Sequence, residues 1–301
     1  MIELSEIDFV SPSGDVCGEG AIWCPEDRCV YWCDINRFLI HAFALSDRST
    51  RTWLFEEPVV ALSLTTERGR ILVALGSRLI WWWPATDRRT DHGFSLSGWP
   101  QVRFNDGRAD PLGNFWIGSM GNNVLPNGEG CEVGGTSGVL YRVDPQRRVT
   151  EWKRDIGISN TLCWSPNGST FYFGDTPANR IDAFDCDTHT GDIRSPRPYF
   201  AGLDRGLPDG SAIDEEGCIW NCRFFGRCIV RVSPAGKVLQ VIEMPVRNIT
   251  TAAFGGDDLT TLYVTSASDR KDPGDRLAGS LMAIRTSTRG LPPARVKIPV
   301  K

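Results

Sequence analysis

Glu19, Asn160 and Asp209 each stand near the start of an apolar stretch, and Arg103 and Asn105 stand together at the start of another. Two carboxylates and an amide oxygen are hard ligands that suit a divalent cation, with water in the remaining positions. Arg103 and Asn105 add donors of the kind that hold hydroxyl and carbonyl oxygens. Taken singly, each is an ordinary turn or cap residue, as Asn and Asp beside Gly usually are. Their joint significance depends on whether the fold brings these starts to one place.

The stretch around Arg103 shows the local layout. Arg103-Phe104-Asn105-Asp106-Gly107-Arg108 leads into a turn at Asp110-Pro111-Leu112-Gly113 and then the aromatic run Phe115-Trp116-Ile117. The polar group therefore heads a strand and does not form the turn. Gly18-Glu19-Gly20-Ala21-Ile22-Trp23 repeats the layout, as do the stretches opening at Val59, Ile158, Leu207 and Thr250. First strands recur every ~40 to 55 residues, which is the one-blade period of a propeller. Long helical periodicity is missing. The expectation is an all-β fold, a single six-bladed β-propeller over residues 1–301 with four-stranded antiparallel blades around a central channel. The first strand of each blade lines that channel, so residues from separate blades can meet at one mouth. Glu6-Ile7-Asp8-Phe9-Val10 is the candidate strand for closing the ring. Gly121 to Ser137, rich in Gly, is expected to cross one face as a lid or binding loop.

Composition narrows the partners. A net charge of −4 over 301 residues gives no reason to expect a nucleic-acid partner. No apolar run reaches the length of a membrane span, and Leu79-Ile80-Trp81-Trp82-Trp83 stops at Pro84. The N-terminus is acidic and lacks the marks of a signal peptide, so a cytoplasmic protein is expected. Ten cysteines invite a disulfide or zinc reading. Cys29 and Cys33, and likewise Cys218 and Cys222, are four apart in strand-like runs, roughly 13 Å, beyond the reach of a disulfide. There is no Cys-x-x-Cys pair, so the thiols are expected to be reduced, small buried hydrophobes.

In these motifs the chain resembles the gluconolactonase, regucalcin (senescence marker protein) and luciferin-regenerating enzyme family of sugar lactonases. The matching residues are Gly18-Glu19-Gly20 before a Trp, Arg103-x-Asn105-Asp106-Gly107, Ser159-Asn160, Pro208-Asp209-Gly210, and Ala253-Phe254-Gly255-Gly256 with Leu262-Tyr263-Val264-Thr265. They span nearly the whole chain in the family's order. The resemblance implies that one divalent metal ion (Ca, Mg, Mn, Zn or Fe) is held by Glu19, Asn160 and Asp209. It also implies that Arg103 and Asn105 face a sugar lactone and that the reaction is lactone hydrolysis. Two departures stand out. Thr161 follows Asn160 where the family often has Gly, and is expected to matter little. Asn122 or Asn123 stands about where some relatives carry a substrate-binding glutamate. An amide both donates and accepts, so a broad aldonolactonase is expected.

Ester hydrolysis needs carbonyl polarisation, an attacking water and stabilisation of the developing oxyanion, and a divalent ion suits the first and third needs. Asp209 is the candidate general base as well as a ligand. His41, His92 and His189 stand away from the inner-strand starts and are expected at the surface, which disfavours serine–histidine chemistry. The same absence disfavours an organophosphatase-like or strictosidine-synthase-like propeller. The alternative from another class is a non-catalytic calcium-binding propeller of the regucalcin type, which has no need of the Arg103–Asn105 pair.

Overall fold

Short alternating runs cut by Gly, Pro, Asn and Asp form strands too brief to stand alone, so they bury their faces by stacking sheet on sheet. The computed structural model describes residues 6–268 and 275–299. Its strands form six four-stranded antiparallel sheets. Blades one to five each use consecutive strands. The sixth takes its outermost strand, Ile7–Ser11, from the N-terminal end of the chain. Ile7 faces Ile284 and Phe9 faces Met282 in that pairing, so the expected closing strand is present. This pairing ties the N-terminal end of the chain into the last blade and so closes the ring.

Six innermost strands surround the channel: Gly18–Cys24, Val59–Leu64, Val102–Ala109, Ser159–Trp164, Leu207–Ile213 and Asn248–Gly255. Each packs against the next around the ring. Aromatic side chains fill the wedges between blades, as where Trp23 stacks on Tyr263 and Trp220 meets Phe254 edge-on. The recurring turn before an aromatic strand has a specific cause. Asp110 Oδ1 accepts the Leu112 and Asn114 amides, both at 2.9 Å, while Oδ2 accepts the Trp116 indole N–H at 2.9 Å. Asp214 does the same for the Cys218 amide at 2.8 Å and the Trp220 indole at 2.9 Å. One carboxylate closes the turn and fixes the next strand's largest side chain.

The Gly121–Ser137 excursion leaves blade three and reaches blade one, where the Asn36 amide donates to the Gly128 carbonyl at 2.8 Å. It lies at the channel end where the inner strands start. At the opposite end a C-terminal strap crosses the other mouth. Glu215 donates its amide to the Arg289 carbonyl, and Val296 donates to Leu64, both at 2.9 Å.

Two histidines are not where the sequence reading put them. His41 and His92 are buried, and only His189 is exposed. His41 lies on the third strand of blade one, Leu39–Ala44, which is covered on both faces, whereas His92 lies on the outermost strand of blade two and is buried by packing on Trp81. His41 Nδ1 lies 2.8 Å from Thr52 Oγ1, and Nε2 lies 3.1 Å from Asp15 Oδ1. Asp15 Oδ2 in turn accepts the Trp32 indole N–H at 2.8 Å. Burial against Trp81 pushes the His92 pKa down to about 4, which keeps its ring neutral. Both histidines serve packing and remain away from the channel mouth.

All ten cysteines are free; seven are buried, and Cys131 in the excursion is exposed. Thiol titration in denaturant is therefore expected to find ten groups. Cys24 sits directly opposite Cys29 across adjacent strands. A reproducible deficit of two thiols would place a disulfide there and contradict the reduced assignment.

Candidate active site and metal centre

Every innermost strand carries a register shift near its start, falling between Glu19 and Ile22, Val59 and Ala61, Phe104 and Gly107, Asn160 and Cys163, Pro208 and Ser211, and Ile249 and Ala252. A bulge frees residues from the ladder and re-aims their side chains. Glu19, Asn105, Asp106, Asn160 and Asp209 all lie at or inside these bulges. Two glycines permit the geometry. Gly20 takes φ +64°, a left-handed conformation, and a Cβ on Gly210 would lie 2.3 Å from Thr251 Oγ1 on the next blade.

The five predicted residues are all buried at this mouth. The Glu19 and Asp209 carboxyl groups lie close enough for each to act on the other's ionisation. Burial first, then the nearby Asp106 carboxylate, raises the Glu19 pKa from the ordinary 4.5 to about 8. Burial and then Glu19 push Asp209 well above the usual carboxylate range. Two acids that resist ionising side by side share protons until a cation takes their place. The Glu19 carboxylate also accepts the Gly20 amide at 2.9 Å.

Asn160 is oriented by a chain of hydroxyls. Thr176 Oγ1 donates to the Pro208 carbonyl at 2.7 Å, so it can only accept from Asn160 Nδ2, at 2.8 Å. That leaves Asn160 Oδ1 turned the other way, accepting Asn105 Nδ2 at 3.2 Å with a lone pair to spare. Among the described residues no three His, Cys, Asp or Glu side chains gather as a metal cluster. The third oxygen here comes from an amide. Glu19, Asp209 and Asn160 Oδ1 form a donor set that fits a hard divalent ion.

Arg103 is engaged more fully than its sequence role suggests. Nε and Nη2 both donate to Asn123 Oδ1, at 3.0 and 2.7 Å. Nη1 donates to Asn105 Oδ1 at 2.7 Å and to the Phe104 carbonyl at 2.8 Å. One N–H remains of its five. The guanidinium thus brackets two amides, and among the described residues Asn123 Nδ2 has no protein acceptor. Of the two candidates in the excursion, Asn123 joins the site. Asn122 instead donates to the Pro100 carbonyl at 3.0 Å. Burial lowers the Arg103 pKa to about 10, so it stays cationic near neutrality.

Sequence reasoning missed three supports. Asp106 is buried beside the backbone N–H groups of Gly107, Leu162 and Thr161, which favour its ionised form against the burial that raises its pKa, and so relates the third blade to the bulge after Asn160. Thr176 sets the Asn160 amide, as above. Thr161, expected to matter little, matters to Asp209: its hydroxyl donates to the Asp209 carbonyl at 2.5 Å and lies 2.9 Å from Ser211 Oγ. It holds φ +52°, a conformation that strains a β-branched residue by about 1–3 kcal/mol. Thr161 touches the main chain of a candidate ligand, a contact that Gly cannot make. The Asn-Asp-Gly run was the available signal for Asp106; Thr161 and Thr176 had none.

Known relatives cover most of the chain. Residues 17–268 match the family described as SMP-30/Gluconolactonase/LRE-like region. The chain is 34% identical to a 6-deoxy-6-sulfogluconolactonase of Pseudomonas putida over 91% of its own length and 93% of the relative's. It is 30% identical to regucalcin of Danio rerio, covering 87% and 86% respectively. Among solved structures, a calcium-binding regucalcin of Agrobacterium tumefaciens superposes with a TM-score of 0.88 at 29% identity, over 96% of each chain. By the extent of that match and its six-bladed fold, this chain belongs to the SMP-30/gluconolactonase/LRE-like family.

Proposed function

We propose that the protein hydrolyses sugar lactones to the corresponding aldonic acids, using one divalent cation held by Glu19, Asn160 and Asp209. The observation that carries this reading is the buried Glu19–Asp209 acid pair set beside the Arg103–Asn105–Asn123 bracket. The pair asks for a cation and the bracket offers donors to a polyol. When bound, the cation would polarise the lactone carbonyl and balance charge on the developing oxyanion. Asp209 would take a proton from the attacking water. The carbonyl carbon gains the water oxygen, the ring C–O bond breaks, and the proton passes to the ring oxygen as the hydroxyl forms. Asn123 Nδ2 and the remaining Arg103 N–H would hold substrate hydroxyls. Neutral amides accept as well as donate, which supports tolerance of several aldonolactones. Free thiols are in keeping with a reducing, cytoplasmic setting.

The test is a pH-drift assay on five- and six-carbon lactones after titration with Ca²⁺, Mg²⁺, Mn²⁺, Zn²⁺ and Fe²⁺. Similarity to a calcium-binding regucalcin supports a second reading, a non-catalytic calcium-binding propeller. Tight cation binding without hydrolysis of any lactone would favour it. Arg103→Lys is expected to raise KM about tenfold with cation content unchanged, because an ammonium cannot bracket two amides at once. Unchanged kinetics across the panel would remove Arg103 from substrate recognition.

A further inference from the structure

The opposite mouth of the channel has a chemistry of its own. The inner strands end there in Ile22, Leu62, Trp164, Ile213 and Phe254, and Leu291 of the C-terminal strap closes over them. They enclose a cavity of about 410 Å³, within the size range of small-molecule sites, which pair apolar walls with a few placed polar groups. Two arginines line it. Arg295 is satisfied, since Nη2 binds both oxygens of Glu26 at 2.6 and 2.8 Å. Arg108 is not.

Arg108 Nη1 donates to the Ser211 carbonyl at 2.8 Å and approaches Cys163 Sγ at 3.8 Å. Among the described residues, Nε and Nη2 have no protein acceptor and no carboxylate lies within ion-pair distance. Asp106, two residues earlier on the strand, acts on Arg108 only at longer range, without an ion pair. A half-buried guanidinium with open donors in an apolar wall is matched by an anion, and the planar edge formed by Nε and Nη2 suits a two-oxygen acceptor. The walls offer too few polar partners for a polyol.

We propose that this cavity is a second ligand site, binding a small amphiphilic carboxylate whose anion pairs with Arg108 and whose aryl or alkyl body fills the apolar mouth. The site is independent of the lactone-facing end, and neither reading needs the other.

Isothermal titration calorimetry with 3-phenylpropanoate tests it on the full chain. The expected result is one site per chain, with 3-phenylpropanamide, uncharged and of the same shape, at least about tenfold weaker. Arg108→Gln should weaken the carboxylate about tenfold and leave the amide unchanged. Ala294→Trp, which fills the cavity from the strap and keeps Arg108, should abolish binding of both. Glu19→Gln should leave binding intact, which separates this site from the other mouth. Equal affinity for carboxylate and amide would overturn the proposal. So would loss of binding in Glu19→Gln, or no binding of either phenylpropanoate or octanoate to the unaltered protein.

Discussion

Asp209→Asn is expected to lower kcat/KM for the best lactone by roughly 10²–10³-fold and to weaken divalent-cation binding, as is Glu19→Gln. Each change removes a ligand charge and, for Asp209, the candidate base. The same variants are expected to be more stable than the parent when cation-free. The parent must bury two acids whose ionised forms are disfavoured by burial and by each other, whereas an amide in that place carries no charge to neutralise. A gain of about 1–2 kcal/mol, or a few degrees in melting temperature, is expected at about pH 8. Thermal unfolding in chelator, read beside cation content and rate, checks all three quantities. A variant that kept full cation content and full rate would end the ligand assignment. One that lost activity and also lost cation-free stability would point to structural damage instead.

Cation-free stability is expected to fall as pH rises, by on the order of 5 °C in melting temperature between about pH 6 and about pH 9. The sign follows from proton binding. Glu19 has its pKa raised from 4.5 to about 8 on folding, and Asp209 moves in the same direction. Between those values the folded state holds protons that the unfolded chain has released, so raising pH favours unfolding. A divalent ion replaces those protons and should reverse the trend, binding more tightly as pH rises and releasing protons as it binds. Calorimetry in two buffers of different ionisation enthalpy counts them. A melting temperature that does not change with pH, together with cation binding that releases no protons, would show that the acid pair is not the cation site.

Much of this was legible because propellers write their repeat into the chain. Turn carboxylates such as Asp110 and Asp214 each serve a tryptophan a few residues on, so local chemistry repeats blade by blade. The closing strand and the long excursion could be read from pattern and length. Histidine burial could not, because His41 is enclosed by Trp32, Thr52 and Asp15 and His92 packs on Trp81, contacts that no local pattern encodes.

By itself, the sequence determined which residues head the inner strands, and therefore that Glu19, Arg103, Asn105, Asn160 and Asp209 share one mouth. That much depends only on strand order and period. Tertiary structure alone decided how they face one another. Six bulges turn the side chains inward, Thr176 chooses which end of the Asn160 amide meets the channel, and Thr161 crosses between blades to hold Asp209. It alone also showed that Arg103 is bound to Asn123, and that Arg108 faces an apolar cavity at the far mouth. The physical reason is the same throughout. A hydrogen bond has direction and a reach of about 3 Å, and its partners here come from blades separated by tens of residues, whereas strand period is a property of neighbours along the chain.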